Sequence, residues 1–179
     1  MNSDWMMPIE IHSWLSENIK EGSTILEFGS GHGSIELAKR YDLISIEHDK
    51  QWIGISESRY VHAPITDNPI SEENNQVGWY ETTPIIEVVQ KETITVFIVD
   101  GPPGEIGRHG ILSITDSLPK DAVFIIDDIH RNAESDLFQK LIEWYGGEGE
   151  IYTSTYDSGK ERKWGVLLPN LEGVVNDIK

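Results

Sequence analysis

Cysteine is absent from this chain of 179 residues. Without cysteine there is no disulfide, no thiolate ligand for a metal and no thiol nucleophile. The sequence therefore excludes a disulfide-stabilised secreted domain, a zinc-thiolate domain and a cysteine-dependent hydrolase.

Positive charge is also scarce. The chain has 14 Lys and Arg residues against 31 Asp and Glu residues, a formal net charge of -17. Nucleic-acid binding depends on clustered Lys and Arg side chains that displace counterions from phosphates, and an acidic chain repels the same phosphates. We therefore expect no nucleic-acid partner.

Long apolar runs are missing as well. No segment approaches the roughly 20 apolar residues that span a bilayer, and residues 1–15, MNSDWMMPIEIHSWL, contain no basic leader before an apolar stretch. We expect a soluble, cytoplasmic protein with no membrane partner.

The chain has the length of one domain, with 38% hydrophobic residues, and its apolar segments alternate between strand-like and helix-like patterns without an internal repeat. Continuous apolar runs such as TITVFIVD and AVFIIDD are typical of buried parallel strands. The pattern predicts a single domain, 1–179, of α/β class with three layers and a mostly parallel sheet. Strands are predicted at 24–28, 43–49, 60–66, 93–100, 122–128, 150–156 and 163–169, helices at 11–19, 34–41, 50–59, 107–118 and 134–145, and a loop at 67–78.

A glycine-rich loop follows the first predicted strand in the segment ILEFGSGHGS. Gly29, Gly31 and Gly33 allow the backbone to turn tightly and to lie against a ligand, because they have no Cβ. The spacing differs from the G-x-G-x-x-G of dinucleotide-binding loops, which disfavours a nicotinamide oxidoreductase. Glu47 ends the second strand, where a carboxylate can accept both ribose hydroxyls. The sequence therefore predicts a nucleoside ligand.

These residues resemble the Rossmann-like, class I S-adenosylmethionine-dependent methyltransferases. The resemblance rests on the motif Glu27-Phe28-Gly29-Ser30-Gly31-His32-Gly33, on Glu47 as the ribose-binding acid and on the terminal hairpin. It implies a seven-stranded, mostly parallel sheet with a reversed C-terminal strand, and S-adenosylmethionine as cofactor. The implied cofactor-binding residues are Glu27, Gly29, Ser30, Gly31, Gly33, Glu47, His48, Ala63 and Asp100.

Two of these assignments carry alternatives. His48 would lie beside adenine, although a structural role for His48 and Trp52 is equally compatible with the sequence. The segment VHAPIT, with Ala63, would form a wall of the adenine pocket. The family often has an acid soon after the third strand, and here the next acid is Asp67, a few residues late.

Three aspartates follow two predicted central strands: Asp100 after FIV, and Asp127 and Asp128 after FII. Parallel strands end at one edge of the sheet, so we expect these carboxylates to converge. Oxygen ligands suit Mg²⁺, Mn²⁺ or Ca²⁺, and the arrangement resembles the metal-dependent, catechol-type O-methyltransferases. The alternative is that Asp127 or Asp128 caps the next helix while Asp100 orients the ammonium group of the cofactor.

The loop VDGPPGEIGRHG resembles small-molecule O-methyltransferases, including the glucuronoxylan type. Gly104 stands where amino-group methyltransferases have an aromatic residue after two prolines, which disfavours an amine acceptor. Asp100, Arg108 and His109 are the candidate catalytic residues, with His130 and Arg131 as further candidates near the aspartates. Residues 67–80, with Trp79 and Tyr80, either cover the acceptor or anchor an ordinary loop to the core.

The sequence thus predicts a methyltransferase that acts on a hydroxyl of a small-molecule or sugar-like acceptor. Two alternatives stay open: a nucleoside-binding module without turnover, and an aminopropyltransferase-like enzyme that uses the decarboxylated cofactor. The sequence does not decide the oligomeric state, and a homo-oligomer remains open.

Overall fold

The computed structural model describes residues 7–169, and in this range it has an α/β fold. The described strands are β1 Thr24–Phe28, β2 Asp42–Glu47, β3 Arg59–His62, β4 Ile65–Thr66, β5 Trp79–Tyr80, β6 Val96–Val99, β7 Val123–Ile126, β8 Gly149–Thr155 and β9 Glu161–Leu167. The described α-helices are α1 Ile9–Asn18, α2 His32–Ala38, α3 Pro69–Glu73, α4 Thr82–Lys91 and α5 Asn132–Tyr145, and a 3-10 helix spans His109–Ser117.

Seven strands form the main sheet in the order β3-β2-β1-β6-β7-β9-β8. The pairs from β3 to β7 are parallel, whereas β9 runs antiparallel to both β7 and β8. This topology confirms the predicted seven-stranded sheet with a reversed last strand. The order reverses between β1 and β6, which is the switch point where α/β sheets bind ligands.

Alternate residues of each central strand pack on opposite faces of the sheet. On one face Leu26 and Phe97 contact a core that includes α4, α5 and the 3-10 helix. On the other face Ile25 and Val96 pack with α1 and α2. Because both faces are covered, the strands read as continuous apolar runs, and the three predicted layers are confirmed.

Three local predictions are wrong. In the predicted helix at 50–59, residues 50–58 form turns and bends and Arg59 begins β3, because Gly54 adopts φ +88° and the Ser56 hydroxyl accepts a hydrogen bond from the Ser58 backbone. The predicted third strand divides into β3 and β4, and β4 pairs with β5 in a separate two-stranded sheet. The segment 67–78, predicted as a loop, contains α3, which begins at an Asn68 cap followed by proline.

Two further elements differ from the sequence interpretation. Helix α4 was not predicted, and the predicted helix at 107–118 is a 3-10 helix between buried Arg108 and Leu118. None of the helices described within residues 7–169 is long and apolar enough to cross a membrane.

Candidate active site

A cavity of about 600 Å³ lies at the carboxyl ends of the parallel strands. Its walls come from the glycine loop after β1, the turn after β2 and the loops after β6 and β7. The volume falls in the range of roughly 300–1,000 Å³ that is usual for small-molecule sites. The fold therefore brings most of the predicted site residues around one cavity.

The three glycines of the loop after β1 have different roles. Gly29 adopts φ +85°, and a Cβ there would lie 2.9 Å from the Gly101 Cα, so the loops after β1 and β6 touch. Gly33 leaves room for helix α1, since its Cβ would lie 3.3 Å from His12 Nε2. Gly31 lines the cavity, and a Cβ there would meet nothing within 4 Å. Gly31 is therefore the glycine whose open side is available to a ligand.

Glu47 joins the glycine loop to the turn after β2. Its Oε2 accepts a hydrogen bond from Ser30 N at 2.9 Å, and its Oε1 accepts from His48 N and Asp49 N at 2.7 Å each. All of these donors are neutral backbone groups, and each carboxylate oxygen has two lone pairs. Oε2 therefore keeps one acceptor position, and Glu47 lines the cavity.

Glu27 lies below the loop with only 3% of its surface exposed. Its Oε1 accepts a hydrogen bond from the Ser45 hydroxyl at 2.6 Å. Burial is the main reason that the pKa of Glu27 rises to about 8, and the nearby Asp100 and Glu47 carboxylates add to the shift. Glu27 is thus a buried acid that has no cationic partner among residues 7–169.

Tyr80 is a cavity residue that the sequence interpretation did not place. Its ring packs against His48 at a centroid distance of 5.9 Å, and its buried hydroxyl has no hydrogen-bond partner in the described part of the chain. Burial, followed by the Glu47 charge, raises the pKa of Tyr80 well above its usual value. Trp79 is fully buried beside it. The interpretation of Trp79 and Tyr80 as a mobile cover is therefore wrong.

The predicted adenine wall is not part of this cavity. Ala63 is fully buried and is not among the lining residues, although its N–H donates to the Glu47 carbonyl. Asp67 is exposed and also lies outside the lining. His48, Asp49 and Trp52 line the cavity instead, and Trp52 packs edge-on against His32.

The three aspartates converge as predicted. Asp100, Asp127 and Asp128 each have a carboxylate oxygen within 4.8 Å of the others. Arg108 Nη2 lies 3.4 Å from Asp100 Oδ1 and 3.2 Å from Asp128 Oδ2. Arg162 Nη2, from β9, lies 2.9 Å from Asp127 Oδ2 and also contacts Asp128 Oδ1. We call these five residues the Asp–Arg cluster.

The Asp–Arg cluster does not fit a divalent cation. A metal requires carboxylate oxygens that are free to coordinate it, and here guanidinium groups already compensate the charge of all three aspartates. Asp127 is fully buried, and its Oδ1 accepts the Asp128 N–H at 2.7 Å. We therefore derive no chemistry from Mg²⁺ at this position.

Arg108 and His109 differ in their relation to the cavity. Arg108 lines the cavity, but its side chain is 4% exposed and also donates to the carbonyls of Pro102 and Asp127. His109 is not a lining residue. Its ring nitrogens lie 2.8 Å from Gln76 Nε2 and 2.8 Å from Asp136 Oδ2. These contacts tie the 3-10 helix to its neighbours rather than to a ligand.

Sequence reasoning missed Arg162 because nothing in the segment DSGKER distinguishes it from an exposed turn residue. The available signal was topological: a reversed last strand beside β7 brings a residue near its start to the carboxyl ends of the parallel strands. The buried position of Tyr80 in the cavity wall was not predicted, because the polar segment before it is typical of an exposed loop.

No family model matches this sequence, and no curated protein matches it. Solved structures do share its fold. An rRNA methylase from Streptococcus thermophilus is similar over 92% of this chain and 97% of its own, with 14% identity and a TM-score of 0.56. The O-methyltransferase TomG from Streptomyces achromogenes, solved with S-adenosylmethionine, matches 90% of this chain and 78% of its own, with 15% identity and a TM-score of 0.50. Spermidine synthase from Thermotoga maritima is similar over 85% of this chain and 55% of its own, with 15% identity and a TM-score of 0.51.

The chain therefore has the fold of the class I S-adenosylmethionine-dependent methyltransferases. At these identities the similarity defines the fold alone.

Proposed function

We propose that the protein transfers a methyl group from S-adenosylmethionine to a hydroxyl of a small-molecule or sugar-like acceptor. The observation that carries the proposal is the cavity at the switch point, which is lined by both the open side of Gly31 and Glu47. A nucleoside with a cationic side chain suits this place, because its ribose would bind Glu47 and a positive charge beside the buried Glu27 would favour the ionised form of that acid.

S-adenosylmethionine would supply an already activated methyl group, so positioning accounts for most of the rate enhancement that the protein must provide. Gly29, Ser30, Gly31 and Glu47 would hold the nucleoside part. Asp100 is the member of the Asp–Arg cluster that lies beside the glycine loop, and its side chain is 34% exposed.

Asp100 is the residue best placed to accept the proton of an acceptor hydroxyl. Burial raises its pKa above the usual value, and the Arg108 charge opposes part of that shift. A carboxylate with a raised pKa is a stronger base near neutral pH. Arg108 positions Asp100 and makes no ligand contact in this proposal.

A small acceptor is favoured over a nucleic acid. Although the structural neighbours include rRNA methyltransferases, this chain has a net charge of -17, which opposes binding to a phosphate backbone. An amine acceptor is disfavoured because Gly104 provides no aromatic face.

The first test is a calorimetric titration of S-adenosylmethionine into protein shown by mass spectrometry to be free of cofactor. We expect saturable one-to-one binding, followed by formation of S-adenosylhomocysteine with hydroxylated acceptors. A folded, cofactor-free sample that binds no S-adenosylmethionine would contradict the proposal.

A second candidate is an aminopropyltransferase, which the similarity to spermidine synthase favours. The same titration with decarboxylated S-adenosylmethionine separates the two, because an aminopropyltransferase should prefer the decarboxylated compound. Tight binding without product from any acceptor would instead support a binding module without turnover.

A further inference from the structure

Arg131 is the cation that faces the cavity with the fewest partners. It immediately precedes α5, lines the cavity, and its side chain is 44% exposed. Its Nη1 lies 2.9 Å from Asp128 Oδ2. Among residues 7–169, its Nε and Nη2 have no hydrogen-bond or ion-pair partner. One edge of the guanidinium is therefore available to a ligand.

The loop after β6 fixes the place of this guanidinium. A Cβ on Gly104 would lie 3.0 Å from Arg131 Nη1, so the guanidinium lies close against Gly104. Pro103 and Gly104 line the same cavity. The guanidinium of Arg131 thus occupies the space that a side chain at position 104 would fill.

The distribution of arginine makes this placement unusual. The whole chain has only five arginines, and Arg108, Arg131 and Arg162 all line this cavity. Arg108 and Arg162 compensate the aspartates of the Asp–Arg cluster. Asp128 already has contacts from both, so its charge does not require a third guanidinium.

A free guanidinium edge offers two parallel N–H donors that match two oxygens of a carboxylate or a phosphate. We propose that Arg131 binds an anionic oxygen group, carboxylate or phosphate, on the methyl acceptor. The inference rests on the proposed function, since it assigns the acceptor side of the same cavity.

The test observes the arginine side chains directly by NMR. Only five Nε–Hε signals are expected, and the signal that is lost in Arg131→Lys assigns Arg131. Protein saturated with S-adenosylhomocysteine is titrated with sodium acetate or inorganic phosphate, with sodium chloride at matched ionic strength as the salt control. Arg40→Gln is the matched variant, because Arg40 is exposed and lies outside the cavity lining.

We expect a saturable shift of the Arg131 signal with at least one of the two anions, and little change at Arg40. Arg131→Gln should weaken anion affinity about tenfold or more, as expected for the loss of a charge-assisted bond, whereas Arg40→Gln should not. A response to acetate alone identifies a carboxylate, and a response to phosphate alone identifies a phosphate.

Binding of S-adenosylhomocysteine is measured separately by calorimetry. If S-adenosylhomocysteine binds but neither anion shifts the Arg131 Nε–Hε signal more than the Arg40 signal, the anion inference is overturned and the methyltransferase proposal stands. If S-adenosylhomocysteine does not bind, both are overturned.

Discussion

The two sides of the cavity both carry buried carboxylates, but they satisfy them differently. On the side of β1 and β2 no arginine or lysine takes part: Glu27 accepts a hydrogen bond from a serine hydroxyl, and Glu47 accepts from backbone N–H groups and has His48 Nδ1 2.9 Å from its Oε1. On the side of β6 and β7, guanidinium groups surround the aspartates. The first side thus keeps the Glu47 carboxylate and a protonated Glu27 whose ionised form a cationic cofactor would favour, whereas guanidinium groups already compensate the second side.

The largest expected effect comes from removing the central cation of the second side. Arg108→Met leaves Asp100 and Asp128 with one buried guanidinium fewer, and breaking a buried ion pair in this way costs about 3–5 kcal/mol. Arg59→Met is the matched control. Arg59 also pairs with two carboxylates, Asp42 and Glu92, but its side chain is 48% exposed.

The free energy of unfolding is measured by urea denaturation. Removal of the exposed pairs should cost about 1 kcal/mol or less. Equal losses in Arg108→Met and Arg59→Met would show that the Asp–Arg cluster contributes no more than a surface network.

The next effect concerns pH on the first side. With a pKa of about 8 in the folded protein against 4.5 ordinarily, Glu27 holds a proton that the unfolded chain has released. Stability should therefore fall as pH rises between these values, by as much as about 1.4 kcal/mol per pH unit from this group. Glu27→Gln keeps an acceptor for Ser45 and removes the titration.

Urea denaturation of wild type and Glu27→Gln at pH 6, 7 and 8 checks this expectation. Between pH 6 and pH 8 the free energy of unfolding of the wild type should fall by about 2–3 kcal/mol more than that of Glu27→Gln. Parallel pH curves would mean that Glu27 titrates normally.

Glu47 should affect cofactor affinity more than stability. Glu47→Gln removes the charge from the acceptor position at Oε2 and should weaken S-adenosylmethionine binding by about 1–3 kcal/mol in calorimetry. Asp67→Asn, an exposed acid outside the cavity, should leave affinity unchanged. If Asp67→Asn weakened binding more than Glu47→Gln, the cofactor would not contact Glu47.

A smaller and more local effect is expected at Gly31. Its φ of -160° is open to any residue, so Gly31→Ala should fold normally while its methyl group projects into the cavity. We expect affinity for S-adenosylmethionine to fall about tenfold, or about 1.4 kcal/mol. Gly29→Ala, with φ +85° and a close backbone contact, should instead lower the melting temperature. An unchanged affinity in Gly31→Ala would place the ligand elsewhere.

The smallest expected effect is that of metal. Addition of Mg²⁺ or of EDTA should change neither cofactor binding nor product formation, because the aspartates already have guanidinium partners. Metal-stimulated turnover that disappears in the double variant Asp127→Asn, Asp128→Asn would contradict this view.

The positions of the central strands along the chain were predictable because burial on both faces produces continuous apolar runs such as residues 123–126. The glycine loop and Glu47 were predictable because their positions at strand ends limit what they can do. The helix predicted at 50–59 failed, since local glycine and serine geometry overrode its weak apolar pattern.

The partners of the aspartates were harder to predict. The sequence shows that Asp127 and Asp128 end a strand, but the cation that meets them, Arg162, lies 34–35 residues further along the chain. Only the pairing of β9 with β7 brings them together. A metal and an arginine satisfy the same carboxylates, and the local sequence does not distinguish between them.

The late position of Arg162 has a consequence for the order in which the protein is made. A nascent chain that has emerged through β7 already contains the aspartates, whereas β9, which carries one of their two buried cations, has not yet been synthesised. Until β8 and β9 have emerged from the ribosome, the edge of the sheet at β7 presents an unpaired strand and aspartates that have Arg108 but still lack Arg162. Pairing of β9 with β7 thus covers this edge strand and brings Arg162 to the aspartates in the same step.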